Sequence, residues 1–207
     1  MSLSRNQLND YLSTINIEGK TVLDVGVQDK PTSRLCLGRP TAYITLDVDP
    51  QWQPDIVADL NENVEDANLN HWQDVWELKK GSDYYPKKFD LIFCIEVLEH
   101  CWNPVQAIRN LSGSLEAGGD LYLSVPFINP HHDKVDYLRY TNEWFRDVLP
   151  KFGLEVIEIV ERVATLGKTQ LKIFYDAEGL RVSKIRPEYG KYSYPIGYIV
   201  HARKGTL

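Results

Sequence analysis

The feature that most constrains the fold of this chain is a series of short apolar runs, rich in β-branched residues, that alternate with segments of helical spacing. Five such runs lie at 21–26, 42–47, 55–59, 89–95 and 120–126. Alternation of this kind is typical of βαβ units around a parallel sheet. Because the runs are almost continuously apolar, we expect both faces of each strand to be covered. The sequence therefore predicts an α/β fold with a doubly wound, mostly parallel sheet.

Three segments carry helical patterns. The clearest is 104–115, where apolar residues recur every three or four positions and Asn103 stands as the N-cap before a proline. Gly118–Gly119 is predicted to end the connection before the next strand. The other two predicted helices are at 66–80 and 141–149.

The carboxyl-terminal part predicts two late strands, at 154–160 and 197–202, separated by an insertion at 162–194. The insertion is too long for a plain hairpin. Its aromatic residues fit two roles, because aromatics are enriched both at interfaces and in cores: it either covers a pocket or forms a homodimer contact. No linker rich in Gly, Pro or Ser and no repeat divides the chain. We expect a single domain over 1–207 that carries this insertion.

Charge and cysteine content narrow the class of protein. The net charge is −6 and the isoelectric point is near 5.4, whereas a protein that holds nucleic acid normally carries a basic face. We therefore expect no nucleic-acid partner. The three cysteines form no Cys-x-x-Cys pair, which indicates neither a disulfide framework nor a zinc site. No segment has the pattern of a signal peptide or a membrane span, so we expect a cytoplasmic protein without membrane insertion.

Acidic residues follow the first three strands, at the edge where an open α/β sheet binds its ligands. Asp24 is accompanied by Gly26, Asp47 ends the second run and Asp59 ends the third. A carboxylate such as that of Asp47 can accept both hydroxyls of a ribose, and that of Asp59 can accept from the amine of adenine. Gly26 lets the backbone approach a ligand closely. A single acid at a strand end is more often a turn or cap residue, but three in succession predict an adenosine-binding rim.

From about Gly19 to Ile159, and again at 198–204, the chain resembles the class I S-adenosylmethionine-dependent methyltransferases. Four motifs carry the resemblance, at 21–26, 43–47, 54–60 and 89–104. Each motif is common by itself, whereas their order and spacing are specific. The resemblance implies an enzyme with a Rossmann-like, seven-stranded sheet whose last strand is antiparallel, and S-adenosyl-L-methionine as its cofactor.

The resemblance also assigns roles to residues of these motifs. The loop at Asp24 and Gly26 would cradle the methionine part of the cofactor, and Asp47 would hold the ribose. Asp59 and Leu60 would flank the adenine. The methionine end would also be lined by three residues that end the fourth strand, Cys94, Ile95 and Glu96.

One departure from the family pattern concerns the glycine-rich loop. The family commonly shows Asp-x-Gly-x-Gly-x-Gly, but here only Gly26 remains, and Val-Gln-Asp-Lys follows at 27–30. A side chain therefore stands where bare backbone usually meets the cofactor. The segment 29–31 is similar to a variant loop of bacterial methyltransferases from glycan and cell-surface gene clusters, so we interpret the change as a subgroup feature.

Two further segments, 125–127 and 131–141, are similar to the same subgroup. We expect them to lie over the pocket as a substrate-facing loop. If the acceptor is a hydroxyl, a base of near-neutral pKa would assist, and histidine is the usual choice. The candidate catalytic bases are His132, His131 and then His100. For His100, a capping or packing role is the alternative.

The loop allows two further interpretations. Its histidines and aspartates suit a metal ion, but a hydrogen-bonded loop in which Asp136 pairs with Arg139 is favoured, so no metal is predicted. Tyr137, Tyr140 and Trp144 either form an aromatic wall for the acceptor or pack the loop onto the sheet.

Together these features predict methyl transfer to a small-molecule acceptor, in first place O-methylation of a sugar or a similar polar metabolite. No Asn-Pro-Pro-Tyr-like element follows the fourth strand, and its absence, together with the acidic balance, argues against DNA adenine methylation. An NAD-dependent oxidoreductase would show Gly-x-Gly-x-x-Gly after the first strand, where 26–31 is Gly-Val-Gln-Asp-Lys-Pro. A non-catalytic protein of the same fold, which binds a nucleoside or a protein partner, is the alternative.

Overall fold

A computed structural model describes residues 3–28, 30–62, 88–130, 134–165 and 193–206. Its three helices are α1 (Leu3–Leu12), α2 (Pro104–Gly113) and α3 (Asn142–Val148). Its seven strands are β1 (Thr21–Val25), β2 (Ala42–Asp47), β3 (Ile56–Val57), β4 (Phe89–Ile95), β5 (Leu115–Pro126), β6 (Leu154–Thr165) and β7 (Ser193–Lys204). Short 3₁₀ turns lie at Thr32–Arg34, Pro50–Trp52, Leu98–His100 and Leu149–Phe152. In the described parts of the chain no helix is long and apolar enough to cross a membrane.

The seven strands form one sheet in the order β3-β2-β1-β4-β5-β7-β6. The first five run parallel, and β7 lies antiparallel between β5 and β6. The chain order reverses between β1 and β4, which creates the crevice where sheets of this kind bind ligands. The structure therefore confirms the predicted doubly wound, mostly parallel sheet with an antiparallel last strand.

Alternate residues of β4 face opposite sides of the sheet, as the pleat requires. Leu91 and Phe93 pack under α1, whereas Ile92 and Cys94 pack under α2 and α3, and all four are at most 1% exposed. The α1-side core also contains Leu8, Leu12, Ile17, Val22 and Ile199. The α2-side core also contains Ala107, Ile108, Leu111, Leu123 and Phe145. Each large apolar side chain buried in these cores contributes about 1.5–3 kcal/mol, so β4 is the strand on which both layers depend.

The α2–β5 junction differs from the predicted one. Asn103 Oδ1 accepts from Gln106 N at 3.3 Å, which confirms the predicted N-cap. The helix ends at Gly113 rather than at residue 115, because Ser114 O accepts from Phe89 N at 2.8 Å and draws the chain into the sheet. The prediction that Gly118–Gly119 ends the connection before β5 is wrong. The two glycines lie inside β5, where the register against β4 shifts.

The two late strands are longer than predicted. β6 continues past residue 160 to Thr165, and β7 begins at Ser193, so the ladder between them includes both ends of the predicted insertion. The rest of that insertion, 166–192, and the predicted helix at 66–80 lie outside the described residues.

Gly119 should tolerate no side chain. A Cβ there would lie 3.0 Å from Glu116 O, 3.1 Å from Phe89 O and 3.2 Å from Asp90 O, so three backbone carbonyls would have to move. We expect Gly119→Ala to lower the free energy of unfolding by about 1–3 kcal/mol, measured by urea denaturation.

Gly113→Ala is the matched control, because a Cβ at Gly113 meets nothing within 4 Å. Alanine also has the better helix propensity, so this variant should be neutral or more stable by about 0.5 kcal/mol. Equal destabilisation of both variants would contradict the proposed crowding at Gly119.

Candidate functional site

A cleft of about 610 Å³ opens at the carboxyl ends of β1 and β4, where the strand order reverses. This volume lies within the usual range for small-molecule sites. One wall comes from α1, a second from the loop after β1, and the third from the residues that follow β4. The lining residues used below are Arg5, Gly26, Gln28, Lys30, Arg34, Ile95, Glu96 and His100.

Asp24 shapes the loop wall from underneath. It is 1% exposed, and its carboxylate accepts from Thr32 N at 2.7 Å, from Thr32 Oγ1 at 3.0 Å and from the Tyr43 hydroxyl. Burial raises the pKa of Asp24 to about 6, against the lowering effect of these hydrogen bonds. The carboxylate therefore fastens the loop to β1 and β2 and offers almost no surface to a ligand.

Gly26 is required by the fold as well as by the cleft. Its φ of +72° is left-handed, its amide donates to Leu46 O at 2.7 Å, and a Cβ would overlap the Val97 side chain. The glycine lets the chain turn out of β1 beside the segment that follows β4.

Gln28 occupies the position of the family's second glycine and keeps a glycine-like backbone. Its φ is +48°, although a side chain is present, and it is exposed at the rim of the cleft. A left-handed non-glycine residue stores strain and persists only where its surroundings hold it. The loop thus has left-handed residues at both 26 and 28, although only the first of them is a glycine. Asp29, the next residue, lies outside the described ones.

The other two predicted rim acids lie beyond this cleft, at the ends of β2 and β3. Asp47 is 7% exposed and its Oδ1 accepts from Asp49 N at 2.9 Å. Asp59 Oδ1 accepts from the backbone and side-chain amides of Asn61 at 2.8 and 2.7 Å. Leu60 is only 4% exposed and belongs to the α2-side core. The three therefore share the sheet edge with the cleft but do not line it.

The three predicted residues at the end of β4 separate according to the pleat. Ile95 and Glu96 line the cleft. Cys94 is 0% exposed and packs in the α2-side core, so its side chain does not reach the cleft.

Glu96 is held in an unusual conformation by two partners. Its φ of +55° is left-handed, and its amide donates to Ser124 O at 2.9 Å. One carboxylate oxygen, Oε1, accepts from Ser124 Oγ at 2.8 Å and from Arg162 Nη2 at 2.6 Å. Residues in such strained conformations cluster at functional sites.

Arg162 was not predicted from the sequence. It lies in β6, its side chain is 4% exposed, and its Nη2 also donates to Val125 O at 2.8 Å. A signal was present in Gly197, since an isolated glycine in a strand often marks a close approach of another group. Gly197 pairs with Arg162 across the ladder, and a Cβ at Gly197 would overlap the guanidinium.

His100 is the candidate base that the structure describes at the cleft. It ends the 3₁₀ turn Leu98–His100, its side chain is 28% exposed, and its Nδ1 bonds to Val135 O. A carbonyl only accepts, so Nδ1 carries the proton and the lone pair of the neutral ring is on Nε2. The other candidates, His131 and His132, lie outside the described residues.

The segment after β5 is fastened beside His100. Tyr137 N and Leu138 N donate to Glu99 O at 2.9 and 3.3 Å, and the Tyr140 hydroxyl donates to Leu98 O at 2.7 Å. These bonds, together with that of His100 to Val135, attach 135–140 to the residues that follow β4.

The predicted pair of Asp136 and Arg139 is confirmed. Nη1 and Nη2 of Arg139 both donate to the Asp136 carboxylate, Nη2 at 2.7 Å. Nη2 also donates to Asn129 O at 3.4 Å. Among the described residues no group of three His, Cys, Asp or Glu side chains is arranged to hold a metal ion.

The three predicted aromatic residues serve different purposes. Tyr140 is 3% exposed and packs against Trp144, with ring centres 4.7 Å apart, and against Phe145 at 5.6 Å. These rings fix the loop on the α2-side core. Tyr137 is 57% exposed and remains available for contact with another molecule.

Glu99 is a buried carboxyl next to the candidate base. Its side chain is 0% exposed, and Oε1 lies 3.7 Å from His100 Nε2. Burial, and then the neighbouring charge of Glu96, raise the pKa of Glu99 to about 8. This carboxyl is therefore largely protonated at neutral pH.

Comparison with known proteins identifies the family. The model of the methyltransferase domain family matches residues 5–158. The ubiquinone biosynthesis O-methyltransferase of Coxiella burnetii is 32% identical over 138 residues, which cover 66% of this chain and 56% of that protein. The tRNA U34 carboxymethyltransferase of Campylobacter hominis is 36% identical over 66 residues, which cover 30% of this chain and 23% of that protein.

A solved structure shares the fold. The S-adenosylmethionine-dependent methyltransferase of Mesorhizobium loti superposes with a TM-score of 0.59 at 13% identity, covering 98% of this chain and 100% of that one. The chain belongs to the methyltransferase domain family. It spans 56% of the length of the Coxiella burnetii relative.

The raised pKa of Glu99 predicts that stability falls as pH rises. The folded state keeps the proton up to about pH 8, whereas the unfolded state releases it near its ordinary value of 4.5. Asp24, with a pKa of about 6, adds a slope of the same sign at lower pH. Between pH 6 and 8 we expect Glu99 to lower the free energy of unfolding by up to about 1.4 kcal/mol per pH unit.

Urea denaturation at several pH values measures this slope. Glu99→Gln should flatten it between pH 6 and 8, and Glu116→Gln, which changes an exposed carboxyl of β5, should leave it unchanged. An unchanged slope in Glu99→Gln would show that another group titrates.

Proposed function

We propose that this chain transfers the methyl group of S-adenosyl-L-methionine to a hydroxyl of a small polar acceptor, in first place a sugar or a similar metabolite. The observation that carries the proposal is the cleft between β1 and β4, which brings Gly26, Glu96 and His100 together in a chain of the methyltransferase domain family. The family supports the class of reaction, and the cleft supports the roles of the residues.

The residues present fit such a cofactor. The Glu96 carboxylate uses Oε1 for its protein partners, so Oε2 is suited to the cationic amino-acid end. The Asp47 carboxylate uses Oδ1 for a backbone amide, so its other oxygen is suited to the ribose hydroxyls. Asp59 would serve the adenine further along the same edge. When bound, the cofactor supplies an activated methyl group.

His100 is the proposed base of the reaction. The Nδ1–H group donates a hydrogen bond to Val135 O, so the lone pair lies on Nε2. Nε2 is therefore the atom that would take the proton from the acceptor hydroxyl. His131 and His132 remain candidates for the same role. The protein's further contribution is to hold the acceptor in line with the methyl group and to exclude water, and such positioning is worth about 7–11 kcal/mol.

Exposed aromatic rings support a ring-shaped acceptor. Tyr137 is 57% exposed and Trp102 is 62% exposed, and both belong to the segments that flank His100. Neither ring lines the cleft itself, but both are exposed near His100, and an aromatic face suits the apolar face of a sugar or another ring. The net charge of −6 supports a small molecule rather than nucleic acid.

The cofactor is tested by calorimetry. We expect S-adenosylmethionine and S-adenosylhomocysteine to bind and NADH not to bind. Asp47→Ala should raise both dissociation constants at least tenfold, about 1.4 kcal/mol. Asp49→Ala is the control, because the carboxylate of Asp49 only caps the turn that follows β2. Absence of binding at millimolar ligand would overturn the proposal.

The base is tested by transfer to a panel of sugars and phenols, with release of S-adenosylhomocysteine as the measured product. We expect His100→Gln to lower kcat by roughly 10²–10⁴ and to leave the affinity for S-adenosylhomocysteine within about twofold. His201→Gln is the control, because His201 bonds to Asp120 on the α1 side of the sheet. An unchanged kcat in His100→Gln would assign the role to another residue.

A further inference from the structure

A partly buried ion pair joins β6 to the residue that follows β4 at the cleft. Arg162 Nη2 lies 2.6 Å from Glu96 Oε1, and the Arg162 side chain is 4% exposed. The match to the family model ends at residue 158, so Arg162 lies beyond the part of the chain that the family accounts for.

The side chain of Arg162 reaches across two strands of the sheet. Its own strand, β6, is separated from β4 by β7 and β5. Gly197 of β7 makes the passage possible, because a Cβ there would overlap the guanidinium and lie 2.7 Å from Val125 O. Arg162 also donates to that same Val125 O at 2.8 Å, which fixes the guanidinium over the end of β5.

This arrangement determines which oxygen of Glu96 is available. Arg162 and Ser124 both donate to Oε1, and among the described residues no group is bonded to Oε2. The left-handed backbone of Glu96 places the residue at the rim, and the two donors prevent its side chain from turning away.

Among the described residues that line the cleft, Glu96 is the carboxylate best placed to meet a cationic group. Arg5, Lys30 and Arg34 line it as cations, and the other lining carboxylate, that of Asp24, is buried under its own hydrogen bonds. A ligand that carries an ammonium group would therefore direct it to Glu96.

We propose that Arg162 is a positioning residue that holds the Glu96 carboxylate as the acceptor for the ammonium group of the cofactor's amino-acid part. This inference rests on the proposed function. Arg162 itself does not contact the ligand; it acts through Glu96, and it makes recognition of the amino-acid part depend on a residue of β6.

The test compares a ligand with the amino-acid part and one without it. Calorimetry is carried out with S-adenosylhomocysteine and with 5′-methylthioadenosine, on wild type, Arg162→Gln and Arg162→Lys. We expect Arg162→Gln to raise the dissociation constant for S-adenosylhomocysteine at least tenfold and that for methylthioadenosine less than twofold. Arg162→Lys, which keeps the charge and a donor, should restore binding of S-adenosylhomocysteine to within threefold of wild type.

Two further variants keep the test decisive if Arg162→Gln does not fold. Ser124→Ala removes the other donor to Oε1. It should raise the dissociation constant for S-adenosylhomocysteine by about threefold and leave that for methylthioadenosine unchanged. Glu96→Gln removes the carboxylate itself and should weaken binding of S-adenosylhomocysteine at least tenfold and that of methylthioadenosine less than twofold. Arg203→Gln is the matched control, because Arg203 pairs with Asp120 on β5 away from the cleft, and it should bind both ligands as wild type does.

Each outcome separates this inference from the proposed function. Equal weakening of both ligands by Arg162→Gln, or no rescue by lysine, would overturn the positioning role and leave the cofactor in place. Failure of the wild type to bind either nucleoside would overturn the proposed function itself.

Discussion

The hydrogen bonds of the buried Asp24 carboxylate are the interaction on which the cleft depends. They join Thr32, in the 3₁₀ turn after β1, to Tyr43 near the start of β2. The β1–β2 connection has only this short turn where a doubly wound sheet usually has a helix. Without a helix to support the loop, a desolvated acid with three donors performs that task, and the wall of the cleft is set by polar contacts rather than by apolar packing.

The elements that the sequence predicted well are those whose residues act locally. The bounds of β2 and β4 match their apolar runs, and Gly26 and Glu96 stand at the cleft as the motifs implied. In such cases the residues of one strand and of the turn that follows it are sufficient for the prediction. Cys94 shows the limit, because a motif does not say to which side of the pleat each residue points, and its side chain lies in the core.

What the sequence did not predict depends on contacts between distant segments. Arg162 meets Glu96 across two intervening strands, and the two residues are 66 positions apart. Gly118–Gly119 has the composition of a turn, yet it lies inside β5, where carbonyls of β4 crowd the place that a Cβ of residue 119 would occupy. Both the Arg162–Glu96 contact and the position of Gly118–Gly119 depend on the order of strands in the sheet, which no local sequence pattern indicates. The role of Asp24 also depends on a distant contact. In the sequence, an acid at a strand end that binds a ligand cannot be told from one that accepts a hydrogen bond from a hydroxyl such as that of Tyr43.

The bond from His100 to Val135 has a consequence for how such enzymes change their acceptors. The loop that we propose to face the acceptor also determines which ring nitrogen of His100 carries the lone pair, since Val135 belongs to that loop. A new loop sequence would therefore alter acceptor choice and proton transfer in one event. Exchange of this loop between relatives should succeed only when the incoming segment brings a carbonyl to the same place, which limits the evolutionary routes by which specificity diverges.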